Sequence, residues 1–289
     1  MPATGALDAA KADVQRSLEK FDIAILPPCD VMEALNWARQ TRLDAKCTIL
    51  DPWYNKGIGG TRPDYAQHVV DMLRAAGECS EHVFFWGFPE IVAPFVERIP
   101  KPLELIAWLT WYYKNSPSVI RGWRSSQNAC LHLARPGARL HPEHFLNEVQ
   151  TEKLAQGKLR YMPGPTSVIE EPLLCGFVGR DEQTGHPAQK PVAVFKKLIL
   201  MTTQPGDLVL DPMCGSGTTG EAAGATGRKA VLSDESEEYT QIAEHRLGVP
   251  RIGRLGEAAS SSRRRAAQFA KPGRGVQLRE HQPKLPFVQ

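Results

Sequence analysis

Short apolar runs alternate with helix-period segments along most of the chain. Residues 23–26 (IAIL), 47–50 (CTIL) and 82–86 (HVFFW) read as buried strands. Residues 104–111 (ELIAWLTW) and 128–133 (NACLHL) read as a fourth and a fifth. Between them, 31–40 (VMEALNWARQ) has helical spacing with Asp30 as N-cap. Residues 64–76 place Val69, Met72 and Leu73 on one helical face, and Gly77 is expected to close that helix. From 134 to 171 the pattern fades into Pro, Gly and polar residues, with one firm helix near 144–156. Alternation then returns: helix 191–203, strand 208–210, helix 219–225, strand 230–233, helix 236–247. Strands alternating with helices predict an α/β fold with a doubly wound, mostly parallel sheet. After Pro250 the SSSRRR and KPGRG stretches lack apolar periodicity, which predicts a disordered tail.

Composition narrows this picture. With 289 residues, 42% hydrophobic and 23% charged, the chain is neither collagen-like, mainly disordered nor a coiled coil. No run approaches the roughly 20 apolar residues of a bilayer-crossing helix. The first residues, MPATGALDAAKADVQ, do not read as a secretory signal. The net charge of +3 averages two unlike parts. Residues 249–289 hold 9 basic and 2 acidic residues, or +7; the remaining 248 hold 26 basic and 30 acidic, or −4. The 6 cysteines form no CxxC pair and no histidines cluster at metal-ligand spacing, so buried free thiols in a reducing cytoplasm are expected, with no metal.

The sharpest local signal runs from Asp207 to Thr219, DLVLDPMCGSGTT. It reads as a buried strand ending in Asp211, then a Gly215-x-Gly217 turn opening a helix. Glycines there admit a ligand close to the backbone, and a helix start favours an anionic group. Seventeen residues past Gly217 the next strand ends in Asp234, a place where an acid commonly takes ribose hydroxyls. Gly220 completes a Gly-x-Gly-x-x-Gly spacing. Asp211 nonetheless argues against a pyrophosphate and for a cationic cofactor carrying an ammonium group.

Three motifs now carry a resemblance. Asp51-Pro52-Trp53-Tyr54 after a strand resembles the DPPY motif of DNA amino-methyltransferases. Residues 211–219 (DPMCGSGTT) resemble their S-adenosylmethionine-binding motif, and His186-Pro-Ala-Gln-Lys190-Pro191 resembles the HPTQKP element before it. Their order resembles the circularly permuted β class of site-specific DNA amino-methyltransferases over residues 21–247. The resemblance implies a Rossmann-like sheet with the catalytic half at 21–133 and the cofactor half at 186–248. The target recognition region would fill 134–185, flanked outside by an extension at 1–20 and the basic tail at 249–289.

An exocyclic base amine is a poor nucleophile because its lone pair is delocalised into the ring. It needs hydrogen-bond acceptors and a stacking platform, and it must leave the duplex to be reached. By resemblance, Asp51 and the Pro52 carbonyl are the acceptors and Tyr54 stacks on the base. Trp53 stands where the family usually has a second proline; it stacks on the base, fills the pocket, touches the cofactor or packs into the core. The cofactor set would be Asp30, Lys190, Asp211, Pro212, Gly215, Gly217, Thr218, Thr219 and Asp234. Within it Lys190 reaches the methionine part, Thr218 and Thr219 offer the helix start, and Asp234 takes the ribose. Asp30 is alternatively a plain N-cap, and His186 a turn constraint.

A body of −4 must segregate its charge to bind DNA. Residues 98–139 hold seven basic residues and one acid. Within them Arg121, Trp123, Arg124, Gln127 and Arg139 are candidate DNA contacts, by phosphate binding, stacking or base readout. Lys56 and Arg62 flank a glycine-rich loop expected to close over a flipped base. The tail contains Gln282, Leu285 and Phe287, resembling peptides that dock on bacterial sliding clamps; a solubilising tail is the other reading. A homodimer is also compatible with the resemblance.

The leading expectation is adenine 6-amino methylation of duplex DNA in a bacterial or phage cytoplasm at the nucleoid, with a restriction-modification setting in view. Cytosine 4-amino methylation, methylation of RNA or protein glutamine, and a decayed DNA-binding protein are the alternatives. The permuted motif order disfavours the RNA and glutamine enzymes.

Overall fold

The structure, a computed structural model, describes residues 4–55, 61–116, 119–120 and 122–253. Helix α1 (Thr4–Phe21) opens the chain, an element that apolar periodicity announces only faintly. Ala10, Val14 and Leu18 recur every fourth residue and are buried, so one narrow stripe holds α1 beside β1 (Ile23–Ile25). Helix α2 (Val31–Gln40) starts at a capping box: Met32 N donates to the Asp30 carboxylate at 2.8 Å and Asp30 N donates to Glu33 at 3.3 Å.

β2 (Ala45–Leu50) leads through the Asp51–Tyr54 segment to α3 (Tyr65–Cys79) and β3 (Ser80–Gly87). Gly77 does not close α3. The helix continues to Cys79, and a Cβ at 77 would fall 2.9 Å from Leu103 side-chain carbons, so this glycine serves close packing. After the short α4 (Pro89–Val92) come β4 (Glu104–Tyr112), a hairpin of β5 (Val119–Ile120) and β6 (Trp123–Arg124), and β7 (Gln127–Ala134). α5 (Glu148–Ala155) has no buried residue and sits in the weakly patterned stretch before β8 (Val168–Glu170). The final alternation is α6 (Val192–Thr202), β9 (Leu208–Asp211), α7 (Thr218–Gly224), β10 (Lys229–Leu232) and α8 (Glu237–Leu247).

One sheet of eight strands runs β1-β10-β9-β2-β3-β7-β4-β8. β1, β10, β9, β2 and β3 are mutually parallel; β7 enters antiparallel between β3 and β4, and β8 returns parallel to β4. Both faces are covered, as all-parallel strands require. Leu50, Val83 and Phe85 face α1, α2 and α3, whereas Cys47, Ile49, Phe84 and Trp86 face α6, α7 and α8. This alternation along β2 and β3 is the period-2 signature of a sheet buried on both sides.

The β4–β7 pairing has a consequence for charge. Tyr112 pairs with Gln127 and Glu104 pairs with Ala134, so residues 113–126 leave one edge of the sheet. Residues 98–103 and 135–139 lie at the other edge, a strand length away. The basic stretch 98–139 is therefore not one DNA-facing cluster: the antiparallel hairpin divides it. Arg139 lies at the edge opposite the C-terminal ends of β2, β3 and β9, which corrects its expected place beside Arg124 and Gln127. Among the described residues no helix is long and apolar enough to cross a membrane, and no acid, cysteine and histidine group suits a metal ion. All six cysteines are free thiols, five of them buried.

Candidate active site

β2 and β9 are parallel neighbours, with Thr48 opposite Leu210. Asp51 and Asp211 therefore leave the same edge of the sheet, at the point where strand order reverses, the usual ligand crevice of such sheets. The two motifs touch there: Asp51 N donates to the Met213 sulfur at 3.0 Å. Asp51 Oδ2 is ion-paired with the Lys190 ammonium. Asp51 Oδ1 is buried with no hydrogen-bond partner. Lys190 is only 5% exposed, sits 5.6 Å above the Trp86 ring, and its carbonyl accepts the Thr218 hydroxyl at 3.2 Å. It thus spans from the glycine-rich turn to the Asp51 carboxylate.

Pro52 is buried. The Trp53 ring packs edge-on against Tyr65, centroids 5.4 Å apart, and lies 6.3 Å from His68; Tyr65 donates to the Trp53 carbonyl at 2.8 Å. The bulk that replaces the second proline is thereby absorbed by α3. Tyr54 packs against Phe88 at 5.0 Å. Burial, then the Asp51 charge, pushes the Tyr54 hydroxyl well above its ordinary range, so it stays protonated.

The glycine-rich turn is held from several sides. Gly215 has φ +50°, and a Cβ there would lie 2.9 Å from His186 Nε2. His186 also rests edge-on against Tyr239, and its Nδ1 accepts from Ala188 N at 3.2 Å, the geometry of a turn constraint. Gly217 caps α7 at φ +78°. The Thr219 hydroxyl donates to Asp211, as does Met213 N at 3.1 Å. Asp234 accepts from Gly215 N and Ser236 N, both at 2.9 Å. Cys29 N donates to the Asp234 carbonyl at 3.1 Å, which brings the Asp30 N-cap to the same rim. Pro212 is buried within the turn.

Carboxylates crowd this rim. Burial first, and the charges of Asp51 and Asp234 after it, push Asp211 up to about 7. Burial, with Asp30 and Asp234, also raises Glu235. Asp211 binds its proton more tightly folded than unfolded, where a carboxyl titrates near about 4. The folded state therefore holds the extra proton between about 4 and 7, and stability falls as pH rises through that window. Asp211→Asn should flatten that part of the melting temperature against pH between pH 4 and 8; an unchanged slope contradicts the assignment.

Sequence reasoning missed three groups. Phe88 faces Tyr54 from just beyond β3, signalled only by its place after an aromatic strand. Trp86 supplies the ring beneath Lys190. Arg246 on α8, 8% exposed in its side chain, donates to Glu221 at 2.5 Å, Thr218 Oγ1 at 3.0 Å and Ser216 Oγ at 3.2 Å. It also lies 3.6 Å from Glu182, so it ties the turn to the segment leading into Lys190.

The candidate DNA contacts are placed unevenly. Trp123 is 82% exposed in the β5–β6 hairpin at the active-site edge, and Gln127 starts β7 there, exposed. Arg124 is held at home, donating to the Ser116 carbonyl at 2.8 Å and the Lys114 carbonyl at 2.9 Å. Arg62 is paired with Asp64 at 2.7 Å, and its backbone N donates to Asn55 Oδ1 at 2.6 Å, which holds positions 55 and 62 together. Lys56, Arg121 and the clamp-like Gln282, Leu285 and Phe287 lie outside the described residues.

A family model described as DNA methylase matches residues 83–245, more than half of the chain. The chain belongs to the DNA methylase family. Two curated relatives match this chain in part. The DNA adenine methyltransferase YhdJ of Escherichia coli (strain K12) is 40% identical over 94 residues, 32% of either chain. The type II methyltransferase M.HpaI of Haemophilus parainfluenzae is 29% identical over 146 residues, 49% of this chain and 44% of its own. The chain thus spans under half the length of the curated relatives it matches. Its fold resembles the crystal structure of an M1.HpyAVI–SAM complex at TM-score 0.60 and 22% identity, covering 78% of this chain and 98% of that one. It also resembles the cytosine-N4-specific PvuII DNA methyltransferase at TM-score 0.54 and 15% identity, covering 80% of this chain and 88% of that one. The Rossmann-like sheet, with its glycine-rich turn at the C-terminal end of β9, resembles the fold of S-adenosylmethionine-dependent methyltransferase structures.

Proposed function

We propose that this methylase transfers a methyl group from S-adenosylmethionine to the 6-amino group of adenine in duplex DNA, after the base is flipped out. One observation carries the reading: Asp51-Pro52-Trp53-Tyr54 and the 211–219 turn, 160 residues apart in sequence, leave adjacent strands β2 and β9 at one edge and are joined by Lys190. The adenine preference draws on the Asp at position 51 and on the YhdJ relative, a DNA adenine methyltransferase.

The residues at the turn fit the cofactor by their chemistry. Asp211 and Glu235, both raised by burial and neighbouring acids, favour a ligand with positive groups. Asp234 retains further lone pairs for ribose hydroxyls, and Gly215 and Gly217 keep the turn free of side chains. When bound, S-adenosylmethionine supplies an electrophilic methyl on a sulfonium.

Asp51 and the Pro52 carbonyl accept the two amine protons, which localises the nitrogen lone pair and aims it. Tyr54, protonated and backed by Phe88, gives the base a face to stack on. After transfer the amine carries one proton too many; Asp51 is the acceptor in contact to receive it. No residue forms a covalent bond with the base.

Trp123 and Gln127 at the active-site edge support a DNA face there, with the 134–185 stretch as the target recognition region. The +7 tail would add salt-sensitive affinity. Homodimer formation rests on the family resemblance, and clamp docking on the 282–287 peptide. Residence with the nucleoid in a bacterial cytoplasm follows from the substrate. Methylome sequencing of a methylation-deficient host expressing the chain tests the reading. N6-methyladenine at one short recurrent sequence is expected; N4-methylcytosine there would reassign the base, and no modification above background would overturn the proposal.

A further inference from the structure

Lys190 is committed to the Asp51 carboxylate. Its ammonium holds Asp51 Oδ2, and Asp51 Oδ1 is buried without a partner. A target amine therefore competes with Lys190 for Oδ2 and otherwise meets only the buried Oδ1. At 5% exposure Lys190 cannot turn to water, because a buried cation without an anion is strongly unfavourable. The two acids behind the turn are already engaged: Asp211 by Thr219 and Met213, Asp234 by Gly215 and Ser236. The Lys190 backbone is itself anchored at the turn through the Thr218 hydroxyl.

We infer that Lys190 is a positioning latch: it holds Asp51 until a carboxylate on the cofactor's amino-acid end takes over its ammonium, which frees Asp51 for the amine. Loading of the cofactor and acceptance of the base are thus coupled through one side chain. This rests on the methyltransferase reading above and assigns what that reading leaves open, namely the order in which the site becomes competent. The coupling is thermodynamic, so Asp51 and the cofactor carboxylate compete for Lys190 and each weakens the other's hold.

The latch is read from binding alone, and methyl transfer by the unaltered protein is measured beside it. Calorimetry measures binding of S-adenosylhomocysteine and of 5′-methylthioadenosine, which lacks the amino-acid end, to the full chain. The readout is the ratio of the two dissociation constants on the same variant, so a loss of folded fraction cancels. Asp51→Asn removes the competitor and should raise the preference for S-adenosylhomocysteine about tenfold, with 5′-methylthioadenosine unchanged. Lys190→Met should lower that preference about tenfold, and Lys190→Arg should restore much of it. Either ratio staying within twofold of the unaltered protein overturns the latch. If that protein binds neither compound and transfers no methyl group, the methyltransferase reading fails with it. Normal binding and transfer with unmoved ratios sink the latch alone.

Discussion

Asp51→Asn is expected to lower methyl transfer about a thousandfold while the protein still folds and binds cofactor. The substitution keeps the shape of the side chain but turns one acceptor oxygen into a donor that opposes the incoming amine. Loss of one preorganised electrostatic partner at a reacting centre typically costs about 10²–10³ in rate, and loss of the proton acceptor adds to it. Asp51→Ala should behave differently. It strands the Lys190 ammonium at 5% exposure, and breaking a buried pair by removing one partner costs about 3–5 kcal/mol. Partial exposure of Asp51 puts the cost toward the lower figure. The alanine variant should therefore melt lower than the asparagine variant, and adding Lys190→Met to it should recover most of that loss. Single-turnover transfer of labelled methyl, alongside melting temperatures, checks both statements. Transfer within tenfold of normal in Asp51→Asn contradicts the role given to this carboxylate.

Gly217→Ala should damage the glycine-rich turn as severely. Gly217 has φ +78°, a region costing an ordinary residue about 1–2 kcal/mol. A Cβ there also lies 3.1 Å from Ala243 Cβ and Leu247 Cδ1 and 3.3 Å from the Ala243 backbone. α8 must shift, and the Arg246 contacts to Ser216 and Thr218 shift with it. A stability loss of roughly 3 kcal/mol and a melting temperature lower by about 6–12 °C follow for a domain of this size. Cofactor affinity should fall at least tenfold. Gly224→Ala, at the end of α7 with nothing within 4 Å of its would-be Cβ, is the control and should leave both quantities near normal. Equal behaviour of the two variants would show that the turn tolerates rearrangement.

Much of this architecture was readable because its physics is local. Val209 and Leu210 before Asp211, and Ile49 and Leu50 before Asp51, mark strand ends without reference to the rest of the molecule. The glycine turn and the Asp30 N-cap follow from spacing alone. What escaped the sequence depends on pairing between distant segments. The opposite edges reached by Arg124 and Arg139 appear only once β4 and β7 pair antiparallel. Gly77 looked like a helix end because glycine usually is one; Leu103, far along the chain, makes it a packing site. Likewise the partner of Lys190 is set by β2 and β9 lying side by side, which no local pattern reveals. Trp53 illustrates the same limit: its contacts with Tyr65 and His68 depend on how the segment after β2 folds back on α3.

The central claim, methyl transfer to the adenine amine at the Asp51–Tyr54 site, has one direct measurement. Unmethylated genomic DNA is incubated with the protein and S-adenosylmethionine carrying a trideuterated methyl group, digested to nucleosides and weighed by mass spectrometry. The account predicts trideuterated N6-methyldeoxyadenosine with the unaltered protein and about a thousandfold less with Asp51→Asn. Label only on cytosine, label on neither base, or equal label from both proteins would contradict it.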